Sequence, residues 1–393
     1  MSALIPVASR SAAPLAWLRE ARWLHGDRAR AYALIFAVVL GLSAVVVGVA
    51  RFSLGYSADY LSFWAAGRLA LAGKAAAAYD VAAHAAVQKA RFPATGYYAF
   101  FYPPVYLLLC APLALLGFYP SLLAFLGASL FAYLRALRRL LPGAGVALFG
   151  FPGVAATLFF GQNGLLTTAL FGAGLAALTR RPALAGVCFG CLCYKPHLGL
   201  TVPLALVAAR QWRAIAAAAA TVAFLLAASV AVFGVGTWRA FLAGTALAHQ
   251  TLEQGLAVNA SWESTFRIVV QAGLGLKAAY AAQAAVGAGA CVALLVACRR
   301  RGGAITGALP LAALLTTPFL LAYDLALLAV PMAWVVAEAR RDGGFLPWEK
   351  AVLAFAYVVP LLSIVGGRAD LPLGPAAMLA LFAVVLRRAE RAQ

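Results

Sequence analysis

Five short segments place polar or ionisable side chains in or beside apolar sequence, where solubility does not explain them. Asp59 lies in GYSADYLSFW, just beyond the first apolar run, and Lys195 and His197 lie in CYKPHLGL between two further runs. A carboxylate beside Tyr60 and Trp64 at a membrane surface has a raised pKa if it is partly buried, which suits a general base. A lysine near the membrane is costly unless it meets an anion, and a phosphate is a natural partner.

The other three segments carry amides, tyrosines and a second carboxylate. Tyr102 precedes two prolines in FYPPVYLL and could line a pocket, while Gln162 and Asn163 lie in FFGQNGLL between two apolar helices. Tyr323 and Asp324 lie in LLAYDLALL, where the aspartate interrupts a long uncharged run. Ionisable residues in such runs indicate a function by default. An outer aspartate facing a lysine and a histidine would be a catalytic base opposite a phosphate clamp.

Each of these positions also has a purely structural interpretation. Asp59 could cap the helix that begins at Tyr60, and the prolines after Tyr102 fit the start of another helix. The Gly-Gln-Asn-Gly sequence could be a simple tight turn. Lys195 could extend its ammonium group to the interface beside a turn-forming proline, and Asp324 could be a surface residue of an outer turn. The sequence leaves both interpretations open.

The composition is that of a membrane protein rather than of a soluble domain. Of the 393 residues, 65% are hydrophobic and 11% are charged, against about 45–50% and about 25% in soluble proteins. The formal charge of +19 comes largely from arginine clusters that punctuate apolar runs, the pattern of short cytoplasmic loops. No basic groove or aromatic-basic motif accompanies them, so nucleic acid is not an expected partner.

Three cysteines near His197 superficially resemble a metal site. Structural zinc needs four converging ligands, and Cys188 and Cys193 face different sides of a helix. We therefore interpret them, with Cys191, as small residues packed within a helix, and we expect no metal and no cofactor. All six cysteines lie in apolar runs, which indicates no disulfide framework.

The hydropathy pattern predicts an all-α, polytopic integral membrane protein of one domain, residues 1–393, with about twelve transmembrane helices. Residues 1–31 form a cytoplasmic segment without a cleavable signal, and residues 51–103 and 236–267 form two extracytoplasmic loops. The second loop is polar enough to act as a lid. Two segments of the first loop, 59–72 and 76–91, are predicted amphipathic helices. The predicted apolar helices are 32–50, 104–118, 120–137, 145–160, 164–179, 183–195, 198–209, 214–235, 268–298, 304–322, 325–338, 351–366 and 372–386.

One stretch conflicts with this topology. Two full spans between residues 104 and 137 would put Arg135, Arg138 and Arg139 outside, against the positive-inside rule. Thirteen spans would also place the two termini on opposite sides of the membrane. Either one of the two helices fails to cross, or this cluster breaks the rule. In the last outer turn, we interpret Arg368 and Asp370 as a solvated pair.

Taken in order, the motifs resemble glycosyltransferase family 87. They are DYLSFWAAGRLALAGKAAAAYD, FYPPVYLLLCAPLALL, FFGQNGLLTTALFGAGLAALTRRPALAGVCFG, CYKPHLGLTVPLALVAARQWRA and LLAYDLALL. The resemblance implies a membrane enzyme of the GT-C superfamily that performs an inverting transfer from a polyprenyl-phosphate-sugar. It implies Asp59 as the general base and Lys195 and His197 as ligands of the donor phosphate. The expected pocket residues are Tyr60, Trp64, Tyr102, Gln162, Asn163, Tyr323 and Asp324.

The sequence departs from many GT-C enzymes in one respect, because Tyr60 rather than a second acid follows Asp59. This departure favours a reaction without a metal, and a divalent metal stays the alternative. The expected reaction moves a sugar, mannose before others, to a hydroxyl of a lipid or glycan at the extracytoplasmic face of the inner (cytoplasmic) membrane. No P-loop or dinucleotide fingerprint is present, and a polyprenyl phosphate is a good enough leaving group without one.

The main alternative function is that of a lipid or glycan transporter or flippase. Short broken helices and a lysine within the membrane suit that class as well. Against it, the polar residues cluster at one face of the membrane rather than at its midplane, and no inverted repeat is visible. A non-catalytic scaffold is a further alternative, but it would leave Asp59, Lys195 and Asp324 without a purpose.

Overall fold

The computed structural model describes residues 12–255, 262–300, 302–365 and 373–391. The chain is 81% helical, and its described residues form no β-strand. An isolated antiparallel bridge joins Trp262 to Leu321. The prediction of an all-α protein is therefore confirmed. Arg368, Asp370 and Asn259, which the sequence placed in outer loops, lie outside the described residues.

The first half of the chain begins with long and short helices in alternation. Short 3-10 segments at Ala75–Tyr79 and Pro104–Tyr106 connect some of them. The α-helices are α1 Ala12–Glu20, α2 Gly26–Leu54, α3 Tyr60–Leu71, α4 Val81–Arg91, α5 Leu107–Leu113, α6 Phe118–Leu140, α7 Gly145–Phe149, α8 Pro152–Phe160, α9 Gly164–Ala177 and α10 Pro182–Cys191.

The second half continues in the same way, with further 3-10 segments at Leu192–Tyr194, Gly302–Ala304 and Ala322–Leu328. The α-helices are α11 Pro196–Gly199, α12 Thr201–Ala208, α13 Trp212–Gln254, α14 Thr265–Gln271, α15 Gly275–Arg300, α16 Ile305–Thr316, α17 Ala329–Arg341, α18 Glu349–Val365 and α19 Gly374–Glu390.

Five helical stretches of the described chain are long and apolar enough to cross a membrane. Shorter apolar helices lie between them, and irregular backbone at membrane depth is tolerated only inside protein or beside a water-filled cavity. The number of about twelve spans stays a prediction. The five long stretches are Gly26–Leu54, Phe118–Leu140, Trp212–Gln254, Gly275–Arg300 and Ala322–Arg341.

The stretch that conflicted with the predicted topology contains one short helix and one long helix. The predicted helix 104–118 is a 3-10 turn followed by α5, which ends at Leu113. A span needs about twenty residues, so this ten-residue piece is too short to cross the bilayer alone. The arginines Arg135, Arg138 and Arg139 lie near the end of α6, which is long enough. This result favours the first of the two explanations, in which one helix fails to cross.

Most of the predicted extracytoplasmic loop 236–267 is helical, and its place outside the membrane stays a prediction. Helix α13 bends at Gly234, where φ is 78°, and then continues to Gln254. Its second part contains many good helix formers and no proline, so its polar residues lie on a helix rather than in a lid. Gly255 ends the helix with a left-handed backbone conformation.

Both predicted helices of the first loop are present, as α3 and α4. However, α3 does not lie on a surface, because most of its side chains are buried against α5 and α6. Asp80 caps α4 by accepting a hydrogen bond from the Ala83 amide at 2.8 Å. His84 of α4 is fully buried, its Nε2 lies 3.0 Å from the Ser62 carbonyl, and burial lowers its pKa to about 4. A buried neutral imidazole therefore helps to fix α3.

A buried charged cluster lies beyond the C-terminal end of α17. Arg388 of α19 is 1% exposed and donates hydrogen bonds to Asp342 at 2.9 Å, to the Gly344 carbonyl at 3.0 Å and to Glu349. Arg341 forms an ion pair with Glu338 nearby. The cluster joins the turn between α17 and α18 to the last helix. We call it the Arg388 cluster.

Candidate active site

The Gly-Gln-Asn-Gly segment forms a turn that links two groups of polar side chains. Gly161 ends α8 with a φ of 71°, and a Cβ there would lie 3.1 Å from Ala58. Gly164 begins α9, and a Cβ there would lie 2.3 Å from the Tyr323 carbonyl oxygen. Only glycine allows this turn to approach both neighbours so closely. The tight turn that the sequence suggested is present, and its two amide side chains point to different partners.

Asp59 lies on one side of this turn. Its carboxylate accepts a hydrogen bond from Gln162 Nε2 at 3.2 Å, and its backbone amide donates to the Phe160 carbonyl at 3.0 Å. Although Asp59 immediately precedes α3, its side chain accepts no capping hydrogen bond, so the helix-cap interpretation does not account for it. Within the described chain, no cation lies within ion-pair distance of this carboxylate.

The electrostatic setting of Asp59 suits a base. Asp59 lies outside the five long apolar helices and is partly buried. Burial raises the pKa of its carboxyl to about 6, while the hydrogen bond from Gln162 and the positive charge of Arg51 oppose the rise. A carboxylate with this pKa is mostly ionised at neutral pH and is a better proton acceptor than an ordinary aspartate.

Lys195 lies on the other side of the turn. It is 3% exposed and forms an ion pair with Asp324, which is also 3% exposed. Its ammonium group also donates to Asn163 Oδ1 at 3.1 Å and lies 5.3 Å from the centre of the Tyr323 ring. Lys195 therefore does not extend to the interface, and Asp324 is not a surface residue. Asp59 and Lys195 thus contact the side chains of two adjacent residues, Gln162 and Asn163, and we call this arrangement the polar path.

A short backbone arrangement holds Asp324 in place. Its second carboxylate oxygen accepts a hydrogen bond from the Leu321 amide at 3.3 Å, at the start of the 3-10 segment. Leu321 in turn pairs with Trp262, and the Glu263 amide donates to the Leu320 carbonyl at 2.9 Å. The segment after α13 thus supports the backbone that carries Asp324.

Stacked tyrosines form one wall beside the turn. The rings of Tyr102 and Tyr106 are 4.7 Å apart, and those of Tyr106 and Tyr194 are 4.9 Å apart and nearly parallel. The Tyr102 hydroxyl donates to Gln162 Oε1 at 3.4 Å. The prolines that follow Tyr102 begin a helix, as expected from their position. Tyr102 therefore joins the site as well as preceding a helix start.

Four predicted site residues take no part in these hydrogen bonds, and one of them, Tyr323, contacts Lys195 only through its ring. Tyr60 bonds to Ser121 at 2.6 Å within an aromatic cluster, and Trp64 donates to the Leu116 carbonyl at 3.0 Å. The ring of His197 lies 6.4 Å from that of Phe319, and its Nε2 is buried without a hydrogen-bond partner. The contacts of Tyr60 and Trp64 fix α3 relative to α6. Their roles toward a substrate stay predictions.

Two polar residues near the site were not selected from the sequence. Arg51, in the last turn of α2, donates a hydrogen bond to the Phe159 carbonyl. The next carbonyl, that of Phe160, accepts the hydrogen bond from the Asp59 amide. Glu263 is buried and accepts from the Gly374 amide at 2.8 Å, and burial raises its pKa to about 7. Arg51 could have been noticed, because the predicted topology puts it at the outer end of a span, where arginine is less common.

Among the described residues, no group of three histidine, cysteine or acidic side chains is arranged to hold a metal ion. The six cysteines are free thiols, and Cys188, Cys191 and Cys193 lie in or just after α10. The side chains of the site are a carboxylate, an ion-paired lysine, amides and tyrosine hydroxyls.

An all-helical chain with several long apolar helices and polar residues gathered at their ends defines a multi-pass membrane protein. The family model of glycosyltransferase family 87 matches residues 100–322, more than half of the chain, and the chain belongs to this family. The resemblance stated from the motifs is confirmed. Comparisons with curated proteins and with solved structures gave no match. Asp59 and Asp324 lie outside the matched residues, whereas Gln162, Asn163 and Lys195 lie within them.

Membership of this family makes the protein a membrane glycosyltransferase, which acts on a sugar donor and an acceptor. The polar path from Asp59 to Lys195 brings a carboxylate without an ion-pair partner and a buried cation from distant parts of the chain to one turn. We therefore take it as the candidate active site.

Proposed function

We propose that the protein transfers a sugar, mannose before others, from a polyprenyl-phosphate-sugar to a hydroxyl group of a lipid or glycan, with inversion at the anomeric carbon. The observation that carries the proposal is the Asp59 carboxylate. It has a pKa of about 6, no ion-pair partner in the described chain, and a connection through a single turn to a buried lysine.

In the proposed reaction, Asp59 accepts the proton of the acceptor hydroxyl as the hydroxyl oxygen attacks the anomeric carbon. The new bond from the acceptor oxygen to the sugar forms while the bond between the sugar and the phosphate oxygen breaks. The electron pair of the broken bond leaves on the polyprenyl phosphate. One displacement inverts the configuration, so one base is sufficient. The proton is then released from Asp59 to water.

Lys195, with His197, would hold the donor phosphate and stabilise the charge that grows on it. Asp324 neutralises Lys195 in the structure, because a buried ammonium group without an anion is strongly disfavoured. An arriving phosphate would share the lysine with Asp324. The pocket around the sugar would include Tyr60, Trp64, Tyr102, Gln162, Asn163, Tyr323 and Asp324.

We propose the inner membrane as the location, with the site facing the extracytoplasmic side. A polyprenyl tail can lie between helices while its phosphate reaches the outer interface, so no nucleotide-binding domain is needed. Mass spectrometry of glycolipids and envelope glycans from a deletion strain tests the proposal. We expect the deletion strain to make a product that lacks one sugar. The wild-type gene should restore the complete product, and a gene with Asp59→Asn should not. An unchanged glycan profile in the deletion strain would contradict it.

A further inference from the structure

Four aromatic side chains from separate parts of the chain meet around Phe319. The centre of the Phe319 ring lies 5.1 Å from that of Trp262, 5.9 Å from that of Phe101 and 6.4 Å from that of His197. Trp262 follows α13, His197 lies in α11, and Phe319 follows α16. We call these four residues the Phe319 cluster. The cluster exists only in the folded chain, because no two of its members are close in sequence.

One side of the Phe319 cluster adjoins the proposed base. Phe101 immediately precedes Tyr102, whose hydroxyl donates to Gln162 Oε1 at 3.4 Å. Gln162 in turn donates to the Asp59 carboxylate at 3.2 Å. Phe101 is therefore the direct chain neighbour of a residue that is hydrogen-bonded to the partner of Asp59.

The other side of the Phe319 cluster adjoins the buried ion pair. His197 lies two residues after Lys195. Trp262 pairs with Leu321 in the isolated bridge, and the Leu321 amide donates to the Asp324 carboxylate at 3.3 Å. The cluster thus adjoins both ends of the polar path, the carboxylate end and the lysine end.

Two polar atoms of the cluster are buried without a hydrogen-bond partner. They are the indole Nε1 of Trp262, a residue that is 8% exposed, and Nε2 of His197. Buried indole N–H groups usually find an acceptor. Trp64 and Trp238 follow this rule, because Trp64 donates to the Leu116 carbonyl at 3.0 Å and Trp238 donates to Ser229 at 3.1 Å. Unpartnered polar atoms beside a candidate active site point to a ligand that supplies the partners.

The chemistry of the cluster matches a sugar ring better than a phosphate. Phe101, His197 and Phe319 are only partly buried, so the cluster offers accessible aromatic surface. A sugar ring has C–H faces that pack on aromatic rings, and its hydroxyls can accept from an indole N–H and bond to an imidazole nitrogen. Among the described residues, no lysine or arginine forms a cation–π contact with these four rings. A phosphate would instead require cationic donors.

We propose that the Phe319 cluster binds the ring of the transferred sugar, with the Trp262 N–H donating to a sugar hydroxyl and the aromatic rings packing against a C–H face. This inference rests on the proposed function and names the part of the donor that the cluster recognises. During the transfer the sugar lies between the base and the leaving phosphate. It is therefore the part of the donor that meets both ends of the polar path. Trp262 and Phe319 then contribute to the choice of sugar.

The experiment measures equilibrium binding to the full-length protein in lipid nanodiscs without an acceptor. The probes are a polyprenyl-phosphate-mannose, the corresponding polyprenyl phosphate and the corresponding polyprenol. Trp262→Phe removes the indole N–H but keeps an aromatic ring, and Phe319→Leu removes the shared aromatic face. Trp238→Phe is the matched control, because it removes an indole N–H that already has a partner in Ser229.

We expect Trp262→Phe to weaken binding of polyprenyl-phosphate-mannose by about three- to tenfold, the usual value of one hydrogen bond. Phe319→Leu should weaken it by about threefold or more. Both variants should bind polyprenyl phosphate like the wild type, because that probe lacks the sugar, and this result also shows that they are folded. Trp238→Phe should bind all three probes like the wild type.

Unchanged binding of polyprenyl-phosphate-mannose by Trp262→Phe would overturn the sugar site and leave the proposed function standing. Equal losses for polyprenyl-phosphate-mannose and polyprenyl phosphate in both cluster variants would also overturn it, because the cluster would then not distinguish the sugar. The same loss in Trp238→Phe as in Trp262→Phe would have that consequence too. A wild-type protein that binds neither phosphate probe more tightly than polyprenol would overturn the proposed donor, and this inference with it.

Discussion

The helical stretch Ala322–Arg341 has a buried ion pair near each end. The two ends differ in whether every acidic side chain there has a cationic partner. Beyond its C-terminal end, each acid of the Arg388 cluster contacts an arginine: Glu338, Asp342 and Glu349. At its N-terminal end, Asp324 contacts Lys195, but Asp59 contacts only the neutral amide of Gln162. The two clusters are roughly 27 Å or more apart along the helix.

A buried ion pair alone therefore does not indicate a catalytic site. Such a pair can be replaced without loss of stability in many proteins, and it often serves the architecture. The Arg388 cluster joins one turn to the last helix, and each of its charges is balanced locally. The candidate site instead brings together separate parts of the chain and leaves one carboxylate without a cationic partner. Burial raises the pKa of the Asp59 carboxyl, and because no ion pair cancels that rise, Asp59 keeps the capacity to accept a proton.

The largest expected effect comes from Asp59→Asn, which removes the unmatched acid. We expect a loss of about 10²–10⁴-fold in the transfer rate, the usual contribution of a general base, with little change in donor binding. The measurement is single-turnover transfer from a labelled polyprenyl-phosphate-sugar. Asp80→Asn is the matched control, because Asp80 only caps α4 and asparagine caps helices equally well. If Asp59→Asn were as active as Asp80→Asn, Asp59 would not be the base, and the candidate site would not differ from the Arg388 cluster in the way proposed.

The matched pair of the site should respond differently. Lys195→Met or Asp324→Leu alone leaves one buried charge without its partner, and each should lower the free energy of unfolding by about 3–5 kcal/mol. The double variant should recover most of that stability, because neither charge remains, but it should not recover transfer. Denaturant unfolding in detergent together with the transfer assay checks both results. A double variant that regains activity would show that Lys195 has a structural role alone.

A change in the Arg388 cluster should lower the stability of the protein without lowering its transfer activity. Arg388→Met removes the hydrogen-bonded cation of the buried Glu349 and leaves it only Arg387 at 3.7 Å, so it should cost about 3 kcal/mol in the free energy of unfolding. Because the cluster lies far from Asp59, the transfer rate per folded molecule should change by less than about twofold. Unfolding curves and kcat/KM at a temperature where the variant is folded provide the measurement. A large fall in kcat/KM would mean that the two ends of the helix are coupled.

The smallest expected effect is a shift in the pH dependence of Gln162→Leu. The hydrogen bond from Gln162 lowers the pKa of Asp59 by stabilising its ionised form, so its loss should raise that pKa. A hydrogen bond to a charged group contributes about 1.5–3 kcal/mol, which corresponds to roughly one pH unit or more. The pH of half-maximal transfer should therefore rise by about that amount. A downward shift, or none, would contradict the assignment of Gln162.

Much of the candidate site could be predicted from single residues in unusual surroundings. Asp59, Lys195 and Asp324 are ionisable groups beside apolar sequence, and their types indicate a base and an anion site. The pairing of Lys195 with Asp324 could not be predicted, since the two residues are far apart in sequence and meet only through the packing of separate helices. The structure also decides between a helix cap and a free carboxylate for Asp59, because that difference depends on side-chain geometry.

Three features were missed for one reason. Charged and polar residues were assigned to loops and to the ends of membrane spans, without regard to whether they could be buried or helical. Arg388 belongs to a terminal arginine cluster typical of a cytoplasmic segment, yet it is buried and paired. Arg51 follows an apolar run and resembles an ordinary flanking residue. The second part of α13 contains enough polar residues to resemble a loop, although its helix-forming residues dominate. Tertiary packing determined the first two of these outcomes, and local helix propensity determined the third.

The most direct test of the central claim, that Asp59 is the general base, is the pH dependence of the chemical step in the wild type and in Asp59→Asn. Asp59 is protonated below its pKa of about 6 and ionised above it, so activity should be lost as the pH falls through that value. We expect the wild-type rate to fall about tenfold per pH unit below roughly pH 6 and to be level above it. The residual rate of Asp59→Asn should not change across this range. A wild-type rate without an inflection, or an inflection that persists in Asp59→Asn, would contradict the account.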